Sequence, residues 1–128
     1  MGNKEIGLVT KPWGYEQHLP EMIPYKEEEK TKHRSKILVV YPGEMLSLQY
    51  HMMRDEYWKV LSGSGLIVVG KKQYKAYTGT EWFIPAKVWH RLSAAKKEPI
   101  VVKEFSTGEV WNDADIIRID DKYKRGHE

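Results

Sequence analysis

Two short stretches hold the side chains best suited to chemistry. Gly43 to Gly63, GEMLSLQYHMMRDEYWKVLSG, contains Gln49, His51 and Glu56; Pro85 to Arg91, PAKVWHR, contains His90. One carboxylate and two neutral imidazoles suit a divalent transition ion, and an amide carbonyl can supply a weaker fourth contact. Leu46 to Tyr50 alternates apolar and polar, the period of a half-buried strand. Gln49 and His51, two residues apart, therefore point to one face. Met52 to Asp55 reads as a short polar connection. Glu56 opens a second apolar run, Tyr57 to Leu61, closed by Ser62-Gly63. A hairpin would bring Glu56 back beside His51. His90 lies in a third strand-like region, Trp82 to Leu92, broken by Pro85. A lone histidine on a strand is ordinarily a surface or hydrogen-bonded residue. Four ligand types at two linked spacings, each with its own glycine or proline turn, point instead to one metal site. His18, His33 and His127 lack such a context and read as surface residues.

The donor set does not select one ion. Zinc tolerates mixed nitrogen and oxygen ligands. Two histidines and one carboxylate also form the facial triad of non-haem Fe(II) oxygenases. Zinc is the first expectation, with Mn, Co, Fe and Ni as the other candidates.

The elements that must position these residues are short strands. Lys11 to Leu19 reads as a first strand, with Pro12-Trp13-Gly14 as a turn that packs an aromatic against the barrel end. Residues 1–10 and 126–128 read as loose ends. Leu19 to His33, with two prolines and the run KEEEK, reads as a hairpin excursion or surface loop. Lys36 to Tyr41 is a buried strand, and Pro42-Gly43 a turn. After the ligand hairpin come Gly65 to Val69, Gln73 to Tyr77, Glu81 to Ile84, Val88 to Leu92, Pro99 to Phe105 and Ile116 to Ile119. Turns at Gly70-Lys71-Lys72 and Thr78-Gly79 and a polar loop at Ala94 to Glu98 separate them. Many short strands at about ten-residue spacing, without a long amphipathic helix, predict an all-β sandwich or barrel.

Composition narrows the function classes. A chain of 128 residues, 41% hydrophobic, is the size of one domain with a real core. Eight Tyr and five Trp, with abundant Val and Ile, favour strands. No apolar run approaches the ~20 residues of a membrane span, and no signal peptide is visible. The absence of Cys excludes disulfides and thiolate ligands and fits a reducing cytoplasm. The net charge of +3 is small and its Lys and Glu are interleaved, which reads as a solvated surface and not a nucleic-acid footprint. A basic end, Arg118, Lys122 and Arg125, suits a phosphate partner or a solvated tail. In Val101 to Phe105, Lys103 and Glu104 alternate, so one of them faces inward. Arg91 follows His90 and points to the opposite face, the place of a structural salt bridge.

The spacings G-x5-Q-x-H-x4-E-x6-G (Gly43, Gln49, His51, Glu56, Gly63) and G-x5-P-x4-H (Gly79, Pro85, His90) resemble the two-part signature of the cupin superfamily, with Gln where many cupins have His. KPWGY from Lys11, PGEMLSLQ from Pro42, RDEYW from Arg54, IPAKVWHR from Ile84 and DIIRIDDKYKR from Asp115 are similar to the cupin domain of type II mannose-6-phosphate isomerases. In that family the domain is usually fused behind a mannose-1-phosphate guanylyltransferase. No Gly-rich nucleotidyltransferase loop is present here.

The resemblance implies a small cupin barrel, the double-stranded β-helix or jelly roll, and metal ligands Gln49, His51, Glu56 and His90. It implies interconversion of mannose 6-phosphate and fructose 6-phosphate through an enediol. Lys11 and Arg54 take the places of basic residues beside the site, Arg125 belongs to the phosphate-suited basic end, and Glu104 matches a Glu suited to carrying a proton or partnering a ligand His. It also implies a homodimer and a phosphorylated sugar or sugar-nucleotide ligand. The family commonly has His where Met52, Met53 and Tyr57 stand, Gly where Lys87 stands and Gln where Ser106 stands. Three readings follow: a metal-dependent sugar-phosphate isomerase, an Fe(II)-dependent small-molecule oxygenase, and a non-catalytic sugar- or sugar-nucleotide-binding module.

Overall fold

The computed structural model describes residues 7–19, 32–108 and 115–123. Ten antiparallel strands form one curled sheet: β1 Leu8–Lys11, β2 Gly14–His18, β3 Lys32–Val40, β4 Leu48–His51, β5 Arg54–Val69, β6 Lys72–Tyr77, β7 Glu81–Ile84, β8 His90–Ala94, β9 Ile100–Gly108 and β10 Ile116–Asp120. Among the described residues there is no α-helix. The expected all-β barrel is what forms. The strands run β1-β2-β3-β9-β5-β8-β4-β10, with β6 and β7 branching from β5.

β5 makes the barrel. Its first half pairs with β9 and β7, and its second half with β6 and β8. The β9 pairing is bulged between Val60 and Ser62 and runs on to Gly63, after which β6 and β8 take over. Gly63 has φ +86°, and a Cβ there would sit 1.9 Å from the Pro99 carbonyl oxygen. Only glycine fits a strand that bends this tightly over its neighbour. Ser62-Gly63 was expected to end a strand; it bends one strand instead, so Gly65 to Val69 is not a separate element.

Three other expectations change. Lys11 to Leu19 is not one strand, because Pro12-Trp13 turns between β1 and β2. That turn does bury Trp13 in the core, as expected. Residues 8–10 belong to β1 and are no part of a loose start; residues 1–6 and 124–128 lie outside the described residues. Of the expected Leu19 to His33 loop, residues 20–31 also lie outside them, while Lys32 and His33 already belong to β3.

Inward positions alternate along each strand, and they divide the interior lengthwise. On β3 they read Arg34, Lys36, Leu38, Val40; on β9, in register opposite them, Ser106, Glu104, Val102, Ile100. β5 adds Glu56, Trp58 and Val60 against Ser106, Glu104 and Val102. One half of the barrel is hydrocarbon, joined by the fully buried Ile67 and Leu92. The other half is polar.

Candidate metal centre

The polar half places the two sequence stretches face to face. His51 ends β4, Glu56 sits near the start of β5 and His90 begins β8. Gln49 is directly opposite His90 in the β4–β8 pair. The expected hairpin does not form. β4 pairs with β8 and β10, never with β5, so His51 and Glu56 meet across the interior. The link between them is fixed by Asp115, which sequence reasoning missed. Its carboxylate accepts the Met52 and Met53 amide hydrogens at 3.0 and 3.1 Å. The second stretch is stitched on by two backbone amides: Ala86 donates to Asp55 Oδ1 at 2.7 Å and Lys87 to the His51 carbonyl at 2.6 Å.

His51, Glu56 and His90 are all buried, and one ligand atom from each lies within 4.8 Å of the others. Glu56 Oε2 is 2.9 Å from His51 Nε2, and Glu56 Oε1 is 3.5 Å from His90 Nε2. His90 Nδ1 donates to the Val88 carbonyl at 3.0 Å. A carbonyl only accepts, so Nε2 carries the lone pair of a neutral ring. That lone pair has no hydrogen-bond partner and faces a carboxylate oxygen. The donor set of these three residues fits a divalent ion. Gln49 lines the same interior; its carbonyl accepts the Ser47 hydroxyl at 2.6 Å and keeps a second lone pair.

Burial alone would raise the Glu56 carboxyl, but the charge and hydrogen bond of His51, with His90 and Arg54 beside it, outweigh burial and hold the group well below the usual carboxylate range. Burial pushes His90 down, against the pull of Glu56, and keeps it neutral. Arg54 stands beside both ligands: Nε is 3.4 Å from Glu56 Oε2 and Nη2 is 3.3 Å from His51 Nε2.

A second charge group adjoins the first. Trp58 Nε1 lies 3.1 Å from both Glu56 Oε1 and Glu104 Oε1, sharing one N–H between two carboxylates. Glu104 is the inward member of its pair with Lys103 and accepts the Ser106 hydroxyl at 3.0 Å. Burial, with Glu56 nearby, raises its carboxyl. Lys36 Nζ lies 3.1 Å from Glu16 Oε2 and 3.7 Å from Glu104 Oε2. Burial opposes the Lys36 charge, but Glu104 and Glu16 raise its pKa. Burial also opposes ionisation of Glu16, yet His18, Lys36 and Lys11 bring it down to about 2. Lys36, Glu16 and Trp58 were missed as site residues. The signal was present in KILVVY, where Lys36 shares the inward phase of Leu38 and Val40.

The remaining expected residues divide. Lys11 lines the interior, 3.9 Å from Glu16 Oε2. Arg118 lines it too, whereas Lys122 pairs with Glu44 at 2.8 Å, so the basic end is not one cluster; Arg125 lies outside the described residues. Arg91 is structural as expected, donating to the Leu46 carbonyl at 2.9 Å and to Asp120 Oδ2 at 3.0 Å. His18 is not a plain surface residue; it is half-buried, 2.9 Å from Glu16 Oε1. Nothing is described of the His33 side chain, and His127 lies outside the described residues. Met52, Met53 and Tyr57 are exposed, and the Tyr57 hydroxyl donates to Glu81 on the outer face. Those three departures from the family pattern therefore leave the interior donors untouched.

A curled antiparallel barrel with such a ligand cluster inside is a cupin. Solved structures of the same fold include a cupin protein from Bacteroides fragilis (TM-score 0.62, 17% identity, 77% of this chain and 80% of that one). An oxalate decarboxylase from Bacillus subtilis gives a TM-score of 0.69 at 18% identity, over 88% of this chain and 29% of that one. The chain belongs to the mannose-6-phosphate isomerase C-terminal family, whose model matches residues 4–121. It is 36% identical over 88 residues to a mannose-1-phosphate guanylyltransferase of Klebsiella pneumoniae, covering 69% of this chain and 19% of that protein. It is 31% identical over 117 residues to the xanthan biosynthesis protein XanB of Xanthomonas campestris, covering 91% of this chain and 23% of that protein. The chain thus spans about a fifth of the length of these curated relatives. Among the described residues no helix is long and apolar enough to cross a membrane.

Proposed function

We propose that the protein is a metal-dependent sugar-phosphate isomerase that interconverts mannose 6-phosphate and fructose 6-phosphate. The observation that carries this reading is the buried convergence of His51, Glu56 and His90 donors in a chain of the mannose-6-phosphate isomerase family. Gln49 is the fourth contact, and zinc is the first candidate ion, ahead of Mn, Co, Fe and Ni. A bound divalent ion supplies Lewis-acid polarisation of sugar oxygens. The protein's own groups do the rest. Glu104, with its raised carboxyl pKa, carries the proton between C2 of the aldose and C1 of the ketose. Trp58 and Ser106 fix its orientation. Arg54 and Lys11 are the cations that would meet the phosphate, and Arg125, the further candidate, lies outside the described residues. A homodimer in the cytoplasm is the expected state, and light scattering gives the mass.

A second reading is a non-catalytic sugar- or sugar-nucleotide-binding module. Relatives named as guanylyltransferases favour a sugar phosphate or nucleotide as its ligand. The facial-triad donor set keeps an Fe(II) oxygenase as a third. A coupled assay for fructose 6-phosphate separates them, run on chelator-stripped protein reloaded with Zn, Mn, Co, Fe or Ni, beside His51→Ala. Metal-dependent turnover that vanishes in the variant is expected. Metal-loaded, folded protein with no turnover overturns the isomerase; oxygen uptake with iron would then support the oxygenase, and ligand binding alone the module.

A further inference from the structure

Arg54 occupies an unusual position for a substrate-binding cation. Its guanidinium faces Glu56 Oε2 at 3.4 Å and His51 Nε2 at 3.3 Å, two of the three atoms that would hold a metal. The side chain is 10% exposed, and its Nε has no hydrogen bond of good geometry. Its Nη2 contact with His51 is a hydrogen bond, whereas its contact with Glu56 is one of charge. Two cations cannot both lie against one buried carboxylate without strong mutual repulsion, because the low-dielectric interior screens them poorly.

Arg54 also has somewhere to go. It lines both the interior cavity and an outer pocket of about 390 Å³ bounded by Met52, Met53, Asp55, Thr107 and Gly108. A swing of the guanidinium toward the outer pocket would clear the ligand atoms and present its five donors at the mouth.

We infer that Arg54 is a shared cation: it neutralises Glu56 until a divalent ion takes that place, and it is then released to bind the anionic end of a ligand. Metal and anion binding are therefore coupled through one side chain, each strengthening the other by the same factor. The inference rests on the metal-site reading above and adds an order to it, metal before anion.

The test is calorimetric. Zinc is titrated into chelator-stripped wild type, Arg54→Met and Arg54→Lys; sulfate, as a dianion probe, is then titrated with and without zinc. Arg54→Met, freed of the competing charge, should bind zinc roughly tenfold more tightly, and Arg54→Lys should stay near wild type. Zinc should strengthen sulfate binding to wild type by a similar factor, and that gain should be lost in Arg54→Met. Weaker or unchanged zinc binding by Arg54→Met would overturn the shared-cation role while leaving the metal site standing. Wild type that binds no zinc or other divalent ion would overturn both. Should Arg54→Met fail to fold, the wild type still decides. Hydrogen exchange at the Arg54 Nε–H, followed by nitrogen-15 NMR, should accelerate on adding zinc; an unchanged rate would show that the side chain stays in place.

Discussion

The two halves of the barrel interior are built by the same alternation yet do opposite things. Along β3, Leu38 and Val40 pack against Val102 and Ile100, and burial there returns free energy with no polar group to satisfy. One step along the same strands, Lys36 stands opposite Glu104 and Glu56 opposite Ser106. Every group in that half must be desolvated and re-partnered, which at best breaks even. Stability resides at one end and the candidate metal site at the other. A fold that wanted only stability would carry hydrocarbon the full length of these strands.

The largest break in that contrast should come from Glu56→Gln. It removes the carboxylate on which His51, His90, Arg54 and Trp58 converge. Zinc affinity should fall by at least about 100-fold, since even the partners of metal ligands are worth ~10–100-fold. Breaking a buried ion pair should also cost about 3–5 kcal/mol of stability. Calorimetry and urea unfolding read the two effects; zinc affinity within a few-fold of wild type would move the site elsewhere.

Ile100→Ala tests the other half. Ile100 is fully buried, and the cavity it leaves should cost about 2–5 kcal/mol in urea unfolding. Zinc affinity of the folded variant should be unchanged. If it fell in step with stability, the two halves would not be separable.

The polar half should also set the response to acid. Glu16 has a folded pKa of about 2 against an ordinary 4.5, so the folded state holds its proton less tightly than the unfolded chain. Its contribution, at most about 3 kcal/mol, is complete above pH 4.5 and is lost as pH falls toward 2. Glu104 runs the other way: its raised pKa is a penalty at neutral pH that fades as acid protonates it in the folded state. On metal-free protein, Glu16→Gln should flatten the acid limb between pH 4.5 and 2, whereas Glu104→Gln should gain stability at pH 7. An acid limb equally steep in Glu16→Gln and wild type would assign it to other carboxylates.

Much of this contrast can be read from the chain, but not all of it. Period-two alternation assigns Gln49 and His51 to one face and picks Glu104 over Lys103 once the strand is known. It does not say which strand lies opposite. Hence His51 and Glu56 look like hairpin neighbours in sequence and turn out to face each other across the barrel. Nor does it mark where a strand bends without ending, so β5 reads as two elements. Lys36 and Glu16 are not picked out as site residues because the contacts that join them to the site, Glu16 with Lys36 and Lys36 with Glu104, link strands far apart in sequence. The exposed Met52, Met53 and Tyr57 show the converse: positions adjoining ligands in sequence need not adjoin them in space.

The smallest effect concerns the turn that carries His90 into the polar half. Lys87 is the non-glycine residue with positive φ, +72°, among the described residues, and it stands where the family commonly has Gly. Its amide donates to the His51 carbonyl, so the left-handed conformation is enforced by a bond that ties the two ligand stretches together. That conformation costs an L-residue about 1–2 kcal/mol, of which glycine returns part through its freer unfolded chain. Lys87→Gly should therefore stabilise by about 0.5–1 kcal/mol with no loss of zinc affinity, and Lys87→Ala should not stabilise. Equal gains in both variants would mean that the lysine side chain, and not its backbone, was the source of the cost.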